Sequence, residues 1–206
     1  MEFRDAEPGD ILMVMNTFLS WGDIRKQEES FGVRLQNALN QLGILDKCKE
    51  LLICHACVRI KNPGNTTELK ENVSQIGKII STAIVNGREI LIIQLDIPLM
   101  VSSWLVYGIE LPYSKQNHPY KDGLEHVEFV LPGSENTMDV VREKVLEIMN
   151  NISLEELKQK YSYSEDEPQA EGDQKPNPTV SIKVDGVGIK FHALSIQDVV
   201  GFNALN

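Results

Sequence analysis

Two dipeptides constrain this chain more than anything else in it. Asn86-Gly87 and Asp185-Gly186 each separate a pair of apolar runs, STAIV from REILIIQL and TVSIKV from VGIKFHA. A two-residue turn of that composition supplies the positive backbone angles a tight hairpin demands, so each marks two adjacent antiparallel strands. The same element order surrounds both hairpins. In the first half, residues 51–60 (LLICHACVRI) alternate as a strand, and a polar loop, 62–65, leads into a short helix. Thr66 or Thr67 can cap that helix, with Leu69, Val73 and Ile76 facing inward. The hairpin follows, and a fourth strand over 103–111 stops at Pro112. In the second half, residues 125–131 form a strand that Pro132-Gly133 breaks. Met138, Val141, Val145, Ile148 and Met149 then make the stripe of a helix starting near Ser134. A weaker strand near 160–164 precedes the second hairpin, and a last helical turn starts at Ser195. The predicted fold is α+β: paired β-α-β-β-β modules forming a curved mixed sheet around a cleft, with an N-terminal helical segment.

Residues 1–50 are that helical segment, packed on the paired-module domain of residues 51–206. After Asp10, Ile11, Val14, Met15, Phe18 and Leu19 recur at helical spacing. A second stripe of Phe31, Leu35, Leu39 and Leu42 is closed by Gly43. Between that weaker strand and the second hairpin, residues 165–178 are acidic and poor in apolar side chains, so they are expected to form a mobile surface loop.

The 206 residues carry a net charge of −10, which repels phosphate backbones and anionic bilayers, so neither nucleic acid nor membrane is an expected partner. No segment is apolar enough to span a bilayer, and residues 1–10 do not read as a signal peptide. Three cysteines, Cys48, Cys54 and Cys57, cannot build an even disulfide framework, so a reducing cytoplasm fits best. No phosphate-binding glycine loop or nucleophile elbow is present.

Chemistry concentrates on four histidines, His55, His118, His126 and His192, of which only His118 falls outside a predicted strand. Alternation gives His55 a face with Cys57 and Arg59, His126 one with Glu128, and His192 one with Lys190. Cys54 and Cys57, three apart, should point to opposite faces. His55 and His126 lie on the first strands of their modules, and Glu110 and His192 near the ends of the last ones. A pseudo-twofold would bring all four into one cleft, where imidazoles and a carboxylate suit a divalent ion: zinc, iron, manganese, nickel or cobalt. Glu128 is the candidate general base, and Arg59 or Lys190 could hold an anionic group of a small-molecule substrate.

Five stretches in register give this chain a family resemblance. Cys54-His55-Ala56-Cys57-Val58-Arg59, Val85-Asn86-Gly87-Arg88, Ile109-Glu110-Leu111-Pro112, Glu125-His126-Val127-Glu128 with Val130-Leu131-Pro132-Gly133, and Ile189-Lys190-Phe191-His192 resemble the bacterial YecM family over about residues 51–200. That family is similar in fold to the glyoxalase and extradiol-dioxygenase group, the vicinal-oxygen-chelate proteins. The resemblance implies a metal site of His55, Glu110, His126 and His192 with Glu128 nearby. Family membership alone does not settle the activity; isomerase, lyase or epimerase chemistry on a small oxygen-rich substrate is the first expectation, with oxygen-dependent ring cleavage ranked behind it. The alternative is a non-catalytic small-molecule or protein-binding module using the same cleft. Modules of this kind pair within a chain or swap between chains, so a homodimer is open to it.

Overall fold

The structure is a computed structural model that describes residues 20–61, 63–85, 87–113, 121–150, 152–170 and 173–202. The helix expected after Asp10, His118 and Asn86 all lie outside the described residues.

Ser20 opens the first helix, α1 (Trp21–Arg25), through a capping box with Asp23. The second, α2 (Glu28–Gln41), buries Phe31, Leu35, Ala38 and Leu39, the spacing of a single helical stripe. Gly43, at φ 72°, ends it by turning the chain so that the Ile44 amide donates to the Leu39 carbonyl. A short helix, α3 (Leu45–Cys48), leads into the sheet.

The first module is β1 (Leu52–Arg59), α4 (Pro63–Glu71), β2 (Gly77–Val85), β3 (Arg88–Val101) and β4 (Trp104–Pro112). Helix α4 begins at Pro63 rather than at the expected threonine caps. Proline at the first helical position has its φ preset and no amide to leave unpaired, so it outcompetes Thr66, which is buried inside the helix. Strands β2 and β3 are longer than their apolar runs suggested. β3 continues past an irregular stretch between Gln94 and Leu99 that accommodates Pro98, then turns through Ser102, at φ 57°, into β4.

The second module is β5 (Gly123–Val130), α5 (Met138–Ile148), α6 (Leu154–Lys160), β6 (Ser162–Asp166), β7 (Thr179–Val184) and β8 (Val187–His192). Thr137 caps α5, three residues later than Ser134, because its side chain accepts from the Val140 amide. Helix α6 was not visible in the sequence: it has two apolar residues and is held by its Ser153 cap and buried Leu157. The chain closes with α7 (Ile196–Val199), capped by Ser195.

Among the described residues, eight strands join one sheet in the order β2-β3-β4-β1-β5-β8-β7-β6. Within each module the first and last strands run parallel, β1 with β4 and β5 with β8. Across the centre β1 and β5 run antiparallel. That pattern is the predicted module pairing, with its pseudo-twofold on the β1–β5 seam. One face of the sheet carries Ala56, Val58, Val127, Phe129, Ile189 and Phe191 into a core shared with α2 and α5. There Phe129 stacks on Phe191 with ring centroids 5.6 Å apart. The helical segment is tied to both modules: Gln27 accepts from the Leu124 amide of β5, and Glu28 from the Met100 amide of β3. No helix among the described residues is long and apolar enough to cross a membrane.

Candidate metal centre

The other face of the seam is polar. Along it His55 pairs with Glu128 and Cys57 with His126 across the antiparallel strands, while β4 sets Glu110 beside Cys57 and β8 sets Lys190 beside Glu128. Both imidazole Nε2 atoms converge on the two carboxylates. His126 Nε2 lies 3.3 Å from Glu110 Oε2 and 3.2 Å from Glu128 Oε1, and His55 Nε2 lies 3.9 Å and 3.3 Å from the same oxygens. All four side chains are buried.

Each ring has a glycine as its neighbour on the parallel strand, Gly108 beside His55 and Gly188 beside His126. A Cβ at Gly108 would sit 2.8 Å from His55 Cβ, and one at Gly188 2.6 Å from His126 Cβ, so only glycine leaves room for the rings. This register also fixes which residues match. Glu110 stands two residues after Gly108, and the residue two after Gly188 is Lys190, not His192. The expected equivalence of Glu110 and His192 is therefore displaced by two residues: one module offers a carboxylate where the other offers an ammonium. His192 reaches the group from one rung further along β8, its Nε2 3.9 Å from Glu128 Oε2.

Two bulges finish the arrangement. The β1–β5 register jumps from Ile53 to His55 on one strand, leaving Cys54 unpaired, and from His126 to Leu124 on the other, leaving Glu125 unpaired. Each bulged residue directly precedes a histidine and turns its side chain to that ring's Nδ1. Cys54 Sγ is 3.0 Å from His55 Nδ1, and Glu125 Oε2 is 3.4 Å from His126 Nδ1. The bulge overturns the simple alternation that put Cys54 and Cys57 on opposite faces, because the extra residue shifts the count by one. Beyond the bulged pair lies a further tier. Arg59 donates to Glu125, and Cys54 Sγ is 3.2 Å from His192 Nε2, whose Nδ1 is 2.9 Å from Asn177 Oδ1. Lys190 Nζ donates to Glu128 Oε1 at 2.6 Å.

Asn177 belongs to the acidic segment expected to be mobile on the surface. It is buried, and Asp166, Pro168, Ala170 and Asp173 of the same stretch wall the cleft. The segment is anchored because the Gln174 amide donates to the Val199 carbonyl of α7, whose Ile196 and Val199 pack on Ile90 and Ile92. Its few apolar atoms hid this role, since it packs through hydrogen bonds.

Electrostatics follow from the geometry. Burial alone would raise Glu110 and Glu128, but the Nε2 contacts of His126 and His55 and the Lys190 ammonium outweigh it. Glu110 falls to about 2 and Glu128 well below the carboxylate range. Burial opposes charge on His55 and His126, yet Glu128 and Cys54 around the first, and Cys57 and Glu110 around the second, raise both well above the usual imidazole value. Burial would likewise raise the Cys54 thiol, but the His55 and His192 rings beside it bring it to about 6. The carboxylate pair thus gathers two imidazolium charges.

The group opens onto a cavity of about 230 Å³ with Ile90, Ile92, Ile196 and Val199 on one wall and Ser164, Thr179 and Ser181 on the other. Arg59 and Lys190, expected to hold a substrate anion, are committed to Glu125 and Glu128. Arg88 also lines the cavity, and among the described residues its buried Nε has no hydrogen-bond partner. Arg88 and Glu125 stood in the motifs of the resemblance but were not expected in the site, and nothing in the sequence pointed to Asn177. Of the residues it did single out, His55, Glu110, His126 and Glu128 meet, and His192 and Lys190 border them. Among the described residues, His55, Glu110 and Glu128 can place donor atoms within 4.8 Å of one another, as can Cys54, His55 and His192.

The family model described as YecM protein matches residues 22–203. Protein YecM of Escherichia coli (strain K12) is 30% identical over 146 residues, spanning 71% of this chain and 75% of that protein. An uncharacterized protein of Haemophilus influenzae is 28% identical over 157 residues, spanning 73% and 79% respectively. A solved structure described as structural-genomics protein EC4020 superposes with a TM-score of 0.72 at 26% identity, covering 92% of this chain and 98% of that one.

Proposed function

This chain belongs to the YecM family, and on that premise we propose that it is a divalent-metal-binding protein of the vicinal-oxygen-chelate type acting on a small, oxygen-rich anion. The observation that carries the reading is the meeting of His55 Nε2, His126 Nε2, Glu110 and Glu128 at the pseudo-twofold seam. The donor set fits such an ion. Two imidazoles and two buried carboxylates are the ligand chemistry of zinc, iron, manganese, nickel or cobalt, and the imidazolium charges stand where an ion's charge would be. An ion held there supplies Lewis-acid polarisation of two neighbouring substrate oxygens.

The chain's own groups do the rest. Arg88, which lines the cavity, holds the substrate's anionic group, a role Arg59 and Lys190 are too engaged to fill. The isoleucine and valine wall keeps water from the floor. Glu128, kept ionised by Lys190, accepts a proton from the carbon beside the polarised oxygens, as isomerase, lyase or epimerase chemistry requires. His192 is outside this ligand set, because Cys54 and Asn177 engage both of its ring nitrogens.

A second reading, ligand binding without turnover, is favoured by one observation: a carboxylate lowered as far as Glu128 is a weak base. Elemental analysis of the purified protein tests the metal reading. Stoichiometric transition metal is expected, and His126→Ala should lose it while keeping its far-ultraviolet circular dichroism. A metal-free protein that takes up none of the five ions on titration overturns it.

A further inference from the structure

The two central histidines receive different support at Nδ1, and the difference has a direction. In the second module the bulged Glu125 carboxylate faces His126 Nδ1, and Arg59 fixes that carboxylate. In the first module the matching bulged residue is Cys54, and behind it stand His192 and Asn177. We propose that Asn177, His192 and Cys54 form a buried hydrogen-bonded relay that positions His55, with the Cys54 sulfur doing for His55 what the Glu125 carboxylate does for His126.

The contacts of the relay run in one order. The Asn177 side-chain carbonyl only accepts, so at 2.9 Å it takes a hydrogen bond from His192 Nδ1–H. His192 Nε2 in turn faces the Cys54 sulfur at 3.2 Å. The sulfur's lone pairs accept from His55 Nδ1–H at 3.0 Å. His55 is thereby held with its Nε2 facing Glu110 and Glu128. His192 is fully buried and Cys54 nearly so, and no water needs to complete the chain. Outer-shell partners of this kind orient a ligand ring and raise its basicity, and their loss weakens metal binding by roughly 10- to 100-fold. Asn177, His192 and Cys54 are positioning residues in this account, acting through His55.

The relay rests on the metal reading for its purpose but not for its detection. Histidine ¹⁵N–¹H spectra of the zinc-free and zinc-loaded protein should show Nδ1–H on both His55 and His192, with exchange slowed by burial. In zinc competition assays Cys54→Ala and Asn177→Ala should each weaken binding by roughly 10- to 100-fold. Cys54→Ser, whose hydroxyl can both donate and accept, should restore it to within a few-fold of wild type. A Cys54→Ala protein that binds zinc as wild type with the His55 Nδ1 signal unmoved overturns the relay. So does a thiolate-to-cobalt charge-transfer band in the cobalt form that Cys54→Ser abolishes and Cys57→Ser leaves intact, since the sulfur would then be a ligand. If wild type takes up none of the five ions, the metal reading fails alone, and the Nδ1 signals of the metal-free protein decide the relay. Should Cys54→Ala fail to fold, the wild-type spectra and the serine variant still carry the test.

Discussion

Replacing Gly188 with alanine puts the geometry of the seam under direct strain. The added Cβ would lie 2.6 Å from His126 Cβ, an atom fixed by the β5 backbone rather than the end of a flexible chain. Carbon atoms pack comfortably at about 3.5–4.0 Å, so β5 and β8 must part by about 1 Å. Overpacking on that scale costs about 1–3 kcal/mol. The stiffer unfolded chain of an alanine variant offsets about 0.4–1 kcal/mol. A net loss of about 1–2 kcal/mol corresponds to a melting-temperature drop of roughly 2–8 °C for a domain of this size. Gly108→Ala should cost more, because its Cβ would meet the Cys54 carbonyl oxygen at 2.4 Å as well as His55 Cβ at 2.8 Å. Gly22→Ala, whose nearest atom is Ser20 Oγ at 3.6 Å, serves as the neutral control. Thermal melts in the presence of a chelator read the stability. Zinc competition reads the site, where moving the His126 ring by the same distance should weaken binding by roughly tenfold or more. A Gly188→Ala protein that melts with wild type and binds zinc equally would refute the claim that glycine is there to make room for the ring.

The pH dependence has two sides. In metal-free protein, His55 and His126 are raised, so their contribution is complete below the unfolded imidazole value of about 6.5 and is lost as pH climbs through the folded values. Glu110, lowered to about 2, contributes above the unfolded carboxylate value of about 4.5 and loses that contribution as pH falls toward 2. Denaturant titrations should therefore place maximum metal-free stability between roughly pH 4.5 and 6.5. Zinc affinity should instead rise with pH above that window, with protons released on binding, and an affinity flat across it would contradict the assignment. For the cavity, oxalate serves as a minimal anion with two adjacent oxygens. Its binding to zinc-loaded protein, read by calorimetry, should weaken roughly tenfold in Arg88→Gln, a loss typical of one charge-assisted hydrogen bond. Unchanged oxalate affinity would remove Arg88 from the site.

What the sequence disclosed was whatever is periodic or punctuated. Asp185-Gly186, the stripe of Phe31, Leu35 and Leu39, and the alternation through His126 and Glu128 each state their own structure, and together they yield the paired modules and the face on which the acids and imidazoles meet. What it withheld depends on register between strands distant in the chain. Nothing in residues 51–60 signals that Cys54 is an extra residue, so alternation places it wrongly. Nothing near Lys190 says that it, rather than His192, stands at the rung of Glu110, because that follows from which strand atoms pair. Asn177 was hidden for a different reason: a side chain buried through one hydrogen bond in an acidic loop looks the same as a solvated one. Helix α6, held by a serine cap and one leucine, falls below the length at which a stripe can be counted.

The trade of Glu110 for Lys190 on corresponding rungs has a consequence for anything that enters. A groove assembled from two like halves would greet a visitor identically when it is turned end for end. Negative on one flank and positive on the other, this groove has a bow and a stern, and a guest bearing charge at one end has a single berth.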